Sequence, residues 1–471
     1  MAQHPHAGRA QPEDLQSPGH RRARTDRGAT SERSVLLNTR ELHLGLNAPG
    51  LGTYKSAWRR NGIDPESTAT GEFYIRLAQL AERGLFDAFF LADQPALDGG
   101  WDRNASAARL DPVIALTTAA AHTEYVGLVA TVSSTWHHPY NLARSIQSLD
   151  RVSHGRAGWN VVTSYSRRIA GSYGLDLPPP KAERYARARE FTGIVESLWR
   201  TWSPGAIVAD KDSGVFARSD AVNPITHTGE FFSVDGGSTV PPSEQGLPVI
   251  FQAGGSDAGL DLASRYADAV FASAMTLDVA LDFRRRLDAA ASVRASSRAP
   301  VLILPGAALT LASTDEEAAR RREELDGIDG SLSGRQYLAG RLGLSPDELD
   351  LDAPLPLHKV DLEERKEVNS EGFLRSIIGL AESGKPLREL LRDGTGHLTV
   401  VGSPGTVADT FETWFATSAV DGFNLMFDVI EESLPLFVDE VVPLLQDRGL
   451  LRRKYEGTTL RDHLGLPRPR W

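Results

Sequence analysis

The chain has 471 residues, of which 41% are hydrophobic and 24% charged, so it contains enough apolar material for a large folded core. Its formal net charge of −11 argues against a general nucleic-acid-binding surface and against a surface for anionic membranes. The absence of cysteine excludes disulfides, thiolate metal ligands and cysteine nucleophiles.

Residues 1–34 are rich in Arg, Gly, Pro and Ser and contain no apolar segment of the kind found in a secretory signal. This composition predicts a disordered tail that precedes a single domain over residues 35–471. The sequence also contains no stretch close to the roughly 18 consecutive apolar residues of a membrane helix. We therefore expect a cytoplasmic protein.

Short β-branched or aromatic segments alternate with segments of helical periodicity along the rest of the chain. Such alternation implies a parallel sheet, and eight units imply a closed (β/α)8 TIM barrel, with an open doubly wound sheet as the alternative. The predicted strands cover residues 41–47, 88–93, 126–134, 155–166, 248–255, 268–273, 301–312 and 422–427.

Two segments are longer than a simple crossover between strands, at about 203–247 and 313–418. The first is rich in Gly and Pro, and the sequence "HTGEFFSVDGG" within it predicts a hairpin. The second is long, charged and helical in pattern. We expect both to be insertions in the barrel, with the second close to its active face as a lid.

The predicted strands end in polar and mostly uncharged residues, which is where a (β/α)8 barrel carries its functional groups. Asp93 ends the second strand, Thr131 lies near the end of the third, and Asn160 lies in the fourth. Alternation along "GRAGWNVVTSYS" directs Asn160 and Ser164 inward and Trp159 outward. Neither a glycosidase-type carboxylate pair nor a G-x-S-x-G elbow is present, so we expect a bound heteroaromatic molecule to carry the chemistry.

The segment "PVIFQAGGSDAGLDLAS" contains an apolar strand that breaks at Gly254, Gly255 and Ser256 just before a helix. Two glycines allow the backbone to approach an anion, and the helix start offers free N–H groups, so the turn could bind a phosphate. A tight turn in which Ser256 only caps the helix explains the same residues equally well.

Two further motifs contain polar side chains next to predicted helix starts. His137 and His138 are adjacent and therefore point in different directions, so we expect no metal site there and predict that one of them lines a pocket. Lys181 and Tyr185 are four residues apart and share a helix face, although a solvated charged first turn is the simpler interpretation of that segment.

Together, "ATVSSTWHHPYNLAR", "GRAGWNVVTS", "ERYARAREF" and "PVIFQAGGS" resemble the bacterial-luciferase-like flavin monooxygenases, within the nitrilotriacetate and dibenzothiophene-sulfone monooxygenase subgroup, over about residues 38–467. The resemblance implies a TIM barrel that binds reduced FMN supplied by a separate NAD(P)H-dependent flavin reductase. It implies that O2 reacts through a flavin C4a-peroxide to oxygenate a small organic substrate. It also implies a homodimer or homotetramer and no nucleic-acid or membrane partner.

The resemblance also implies roles for single residues. Where relatives often have a histidine, this chain has Lys181, and where they often have a histidine pair it has Thr53 and Tyr54. A deazaflavin-dependent oxidoreductase on the same barrel and a non-catalytic flavin-binding protein are the alternatives. The implied flavin contacts are Asp93, Thr131, Asn160, Lys181, Tyr185, Gly255 and Ser256, and the expected proton donor is His137 or His138.

Overall fold

A computed structural model describes residues 40–97, 101–292, 299–362, 365, 371–382, 384–392 and 396–471. The predicted tail, residues 1–34, lies outside these ranges. Among the helices in the described ranges, none combines the length and the apolar character that crossing a membrane requires.

Eight parallel strands form a closed barrel, which confirms the predicted fold. Each strand pairs with the next one in chain order, and the last pairs with the first to close the ring. The strands are β1 (His43–Asn47), β2 (Ala88–Leu91), β3 (Gly127–Ser133), β4 (Ala157–Val162), β5 (Val249–Ala253), β6 (Ala269–Ala272), β7 (Leu302–Leu311) and β8 (Gly422–Phe427).

A helix follows each strand, and several begin where the sequence provides a cap. Asp111 accepts hydrogen bonds from the Val113 and Ile114 N–H groups, and Pro112 occupies the first helical position. The helices are α1 (Gly71–Arg83), α2 (Pro112–Ala120), α3 (Pro139–Val152), α4 (Lys181–Trp199), α5 (Asp257–Tyr266), α6 (Leu277–Ser292), α7 (Pro404–Ala416) and α8 (Ile430–Leu436), which continues through Phe437–Val441 and Val442–Asp447.

The barrel interior contains an aromatic layer in which Phe90 packs edge-to-face against Phe251 and Phe271. A short helix at Leu460–His463 closes the amino end of the barrel below this layer. Leu460 lies against the first residue of β3, so a side chain at Gly127 would overlap it. The layer therefore separates a filled amino end from the carboxyl end.

The outer face of β4 packs on the helix that follows it, as the alternation in the sequence predicts. Trp159 is fully buried and contacts Phe191 and Trp199 of α4 through its ring. Its indole N–H donates to the carbonyl oxygen of Val132.

Both long segments contain structure of their own. Residues 203–247 form two hairpins, and the second, Ile225–Thr228 with Ser233–Gly236, is the one the sequence predicts. In residues 313–418 the structure contains an element absent from the prediction, a strand at Leu398–Gly402 that pairs with the carboxyl half of β7. The remaining elements are the strands Ile207–Asp210 and Val215–Ala217 and the helices Arg167–Ser172, Asp315–Leu342, Glu371–Glu382 and Leu387–Arg392.

A buried ion pair lies at the amino end of the barrel. Arg452 pairs with Asp87, which has no exposed surface and also contacts His43 Nδ1 at 3.0 Å. Burial alone would raise the pKa of Asp87, but the charges of Arg452 and His43 lower it to about 2. This end of the barrel thus holds its buried charge in a paired state.

Candidate active site

Two predicted site residues meet inside the barrel on neighbouring strands. Thr131 and Asn160 are register partners on β3 and β4, and the Asn160 Nδ2 donates to the Thr131 Oγ1 at 2.9 Å. Asn160 is 3% exposed, and its Oδ1 has no hydrogen-bond partner among the described residues. A buried carbonyl oxygen without a partner is costly, so this oxygen is available to a ligand N–H group.

Two more asparagines show the same feature on strands that are next to each other in the barrel. Asn47 ends β1 and Asn424 lies in β8, and in the described part of the chain neither Oδ1 is hydrogen-bonded. Asn424 is a site candidate that the sequence analysis missed. An asparagine in the middle of the apolar strand "GFNLMF" is the signal that could have indicated it.

The turn after β5 combines the two functions that the sequence allowed for Ser256. Its Oγ accepts from the Gly259 N–H at 3.2 Å, which caps α5, and it lies 3.4 Å from the Tyr185 hydroxyl. Gly254 has φ +158°, and a side chain there would contact the Gln252 amide nitrogen at 2.8 Å. The turn thus leaves room for an anion near the first N–H groups of α5.

An arginine supports this turn from behind. The Arg286 Nη2 donates to the carbonyl oxygen of Gly255 at 3.2 Å and to the Asp257 Oδ1 at 2.8 Å. Lys181 is the first residue of α4, one helical turn before Tyr185. The predicted phosphate-binding residues therefore lie on α4 and on the turn that precedes α5.

Asp93 follows β2, is partly buried and has an altered acidity. Burial and the charge of Asp111 raise the pKa of Asp93 to about 6, against the opposing effect of His137 and Arg109. His137 Nδ1 lies 3.0 Å from the carbonyl oxygen of Ser133, so this nitrogen carries a proton and donates it to that oxygen. Asp93 and His137 are thus close enough to interact electrostatically.

His138 has a different environment. It is exposed, its Nδ1 accepts from the Tyr140 N–H at 3.3 Å to cap α3, and its ring contacts Phe232 edge-to-face. Of the two histidines, only His137 acts on the acidity of Asp93. In the described ranges, no group of three or more His, Asp or Glu side chains could hold a metal ion.

The loop after β1 is attached to the helix Asp315–Leu342. Tyr54, which stands where relatives often have a histidine, donates its hydroxyl hydrogen to the Asp326 Oδ1 at 2.8 Å, and burial raises its pKa. Nearby, Arg321 of the same helix pairs with Asp428, directly after β8, and with Glu432. The helix is therefore fixed beside the carboxyl ends of β1 and β8.

These features fit FMN. The turn around Ser256 suits a phosphate, the unpaired Asn160 oxygen suits a ring N–H group, and the aromatic layer suits a flat ring. The sequence profile of the family described as "Luciferase-like monooxygenase" matches residues 56–422. The chain belongs to the luciferase-like monooxygenases.

Relatives within this family share most of their length with the chain. It is 36% identical over 435 residues to the N-acetyl-S-(2-succino)cysteine monooxygenase of Bacillus subtilis (strain 168), covering 91% of this chain and 98% of that protein. It is 36% identical over 447 residues to the nitrilotriacetate monooxygenase component A of Aminobacter aminovorans, with 92% and 98% covered.

Solved structures of luciferase-like monooxygenases and similar proteins superpose closely. The EDTA monooxygenase from Chelativorans sp. BNC1 has a TM-score of 0.74 and 32% identity, covering 91% of this chain and 99% of that chain. A riboflavin lyase with modified FMN and riboflavin has a TM-score of 0.77 and 27% identity, covering 90% and 96%. This chain is accordingly a flavin-dependent monooxygenase.

Proposed function

We propose that the chain is an oxygenase component that binds reduced FMN and uses O2 to transfer one oxygen atom to a small organic substrate. The observation that carries this proposal is the unpaired Oδ1 of Asn160 on the same barrel end as the Ser256 turn. Bound reduced FMN supplies the electrons that activate O2. The second oxygen atom leaves as water.

In this proposal the phosphate is held by the turn before α5 and by α4. Gly255 and Ser256 offer backbone N–H groups, and the Tyr185 hydroxyl offers a further donor. Lys181 adds a permanent positive charge one turn away, in the place of the histidine of many relatives.

The ring is held by neutral groups. Thr131 accepts from the Asn160 amide and so aims the free Oδ1 of Asn160 at the pocket, where it accepts from a ring N–H. Asp93 lies at the neighbouring strand end, and its raised pKa keeps it mostly protonated below about pH 6. Neutral hydrogen-bonding groups position the ring without adding fixed charge beside it.

His137 is the proposed proton donor and acceptor. Its Nδ1 is occupied by the carbonyl oxygen of Ser133, so any exchange of protons with the pocket takes place at Nε2. The helix Asp315–Leu342, fixed beside the mouth through Asp326 and Arg321, helps to keep water from the reacting atoms.

A separate NAD(P)H-dependent flavin reductase supplies the reduced FMN in this proposal. Its support is that two relatives are named as parts of larger systems. One is the nitrilotriacetate monooxygenase component A. The other is the larger match among two chains of the pristinamycin IIA synthase of Streptomyces pristinaespiralis, and it is 35% identical over 427 residues.

The first experiment compares ligands by anaerobic titration and thermal melting. We expect reduced FMN to raise the melting temperature more than oxidised FMN or a deazaflavin cofactor does. The loaded enzyme is then mixed with 18O2 and with nitrilotriacetate, dibenzothiophene sulfone or dimethyl sulfide, and product is analysed for one labelled oxygen atom. Preferential stabilisation by the deazaflavin, or no binding of FMN in either redox state, would contradict the proposal.

A further inference from the structure

One histidine inside the barrel has no role in the function proposed above. His397 directly precedes the strand Leu398–Gly402, and its ring stacks on Phe271 with 5.3 Å between centroids and 3° between planes. Because that strand pairs with the carboxyl half of β7, His397 lies on the carboxyl side of the aromatic layer. The end of the inserted segment thus delivers an imidazole into the barrel mouth.

The ring fills space that a glycine leaves. A side chain at Gly306, in β7, would overlap the Nδ1 of His397. This Nδ1 is buried and has no hydrogen-bond partner within the described ranges, while the residue as a whole keeps part of its accessible surface. The opposite edge of the ring, with Nε2, therefore faces the open mouth, and burial lowers the pKa of His397 to about 4, so that the ring is neutral at pH 7.

A second polar group lies beside the same glycine. Asn424 is the register partner of Gly306, is 3% exposed, and carries one of the unpaired Oδ1 atoms described above. Buried polar groups without partners are uncommon in native proteins and indicate a missing ligand or a functional role. Here two of them lie next to each other on β7 and β8.

Their position in the barrel relates them to the proposed flavin wall. In a closed ring of eight strands β3 lies opposite β7 and β4 lies opposite β8. Thr131 and Asn160 therefore lie across the mouth from Gly306 and Asn424. The interior of an eight-stranded barrel is just wide enough for one small ligand, so a ring of three fused cycles held by Asn160 reaches the opposite wall.

We propose that His397 contacts the flavin ring through Nε2, on the side of the mouth opposite Asn160. This inference rests on the proposed binding of FMN. The neutral imidazole hydrogen-bonds to a polar atom of the ring system, while its stacking on Phe271 fixes its orientation. His397 is thus a ring-binding residue, whereas Ser256 acts on the phosphate.

The test separates these two contacts by using FMN and riboflavin, which has the same ring without the phosphate. His397→Phe keeps an aromatic ring on Phe271 and removes both nitrogens. We expect it to weaken FMN and riboflavin by the same factor, about fivefold for one hydrogen bond. Ser256→Ala should weaken FMN alone, and His122→Gln, at an exposed position, should change neither.

A second measurement does not depend on activity. The imidazole signals of His397, assigned by their loss in His397→Phe and in His397→Gln, should shift during FMN titration with the same dissociation constant as flavin fluorescence. If FMN binds but these signals stay fixed and the His397 variants bind normally, the inference fails while the proposed function stands. If the unaltered protein binds FMN in neither redox state, the proposed function itself fails.

Discussion

The two ends of the barrel handle buried polarity in opposite ways. At the amino end, Asp87 receives hydrogen bonds from Arg452, His43 and the backbone N–H of Leu44. At the carboxyl end, Asn47, Asn160 and Asn424 each keep a buried oxygen without a partner in the described chain. The same strands thus carry a network that stabilises the fold at one end and unsatisfied groups for a ligand at the other.

The largest expected effect follows from breaking the amino-end network. Arg452→Met leaves the Asp87 carboxylate buried without its cation, which should lower the free energy of unfolding by about 3–5 kcal/mol. Urea unfolding measures this loss. The FMN affinity of the folded protein should be unchanged, and Arg453→Met, which breaks only an exposed pair with Asp447, should cost less than about 1 kcal/mol.

A smaller effect, on binding, is expected at the turn after β5. Gly254→Ala places a side chain at φ +158° and against the Gln252 amide, so the turn must shift away from the phosphate position. We expect FMN affinity to fall at least about tenfold, with riboflavin much less affected. The control is Gly171→Ala, a helical position with open space around it; equal losses for FMN and riboflavin would argue against a phosphate site.

Asn160→Leu should reverse the pattern of the Arg452 variant. It removes a buried oxygen that has no partner in the described chain, so the unfolding free energy should change by less than about 1 kcal/mol, while FMN affinity falls about fivefold. Calorimetry of the apoprotein and fluorescence titration measure the two effects. A large loss of stability with unchanged binding would assign Asn160 to the fold; the exposed Asn141→Leu serves as the control.

The smallest effect is a pH dependence from Asp93. Its pKa of about 6 in the folded protein exceeds the roughly 3.9 of an unfolded chain, so the folded state binds more protons between these values. Its contribution to stability is complete below about pH 4 and is lost as the pH rises through about 6. Because the pKa of the buried Asp150 is also raised to about 6, the measurement is the difference between the unaltered protein and Asp93→Asn. Identical unfolding curves across pH 4–7 would contradict the shift.

Local patterns in the sequence predicted most of the fold. All eight barrel strands were located, because each is a short apolar segment between helical ones, and alternation correctly turned Trp159 outward. The contact of Thr131 with Asn160 also follows from neighbouring strands in register. The ends of strands were less accurate, since the segment 155–166 is a strand only over Ala157–Val162.

The rest depended on contacts that no local pattern contains. His397 and the strand after it lie in a long charged segment whose helical character dominated the prediction. Asn424 was missed because its role depends on which strands face each other across a closed ring. The separate positions of His137 and His138 likewise follow from the start of α3, where His138 is used as a cap.

The closure of the amino end has a consequence for the speed of folding. Arg452 and Asp87 are 365 positions apart, and Leu460 must reach the first residue of β3 before the core is sealed. Contacts between such distant segments require the largest loss of chain entropy and form slowly. We therefore expect refolding to pass through a state in which the early strands are paired while the barrel is still open at its base, and the Arg452 network to form in the final step.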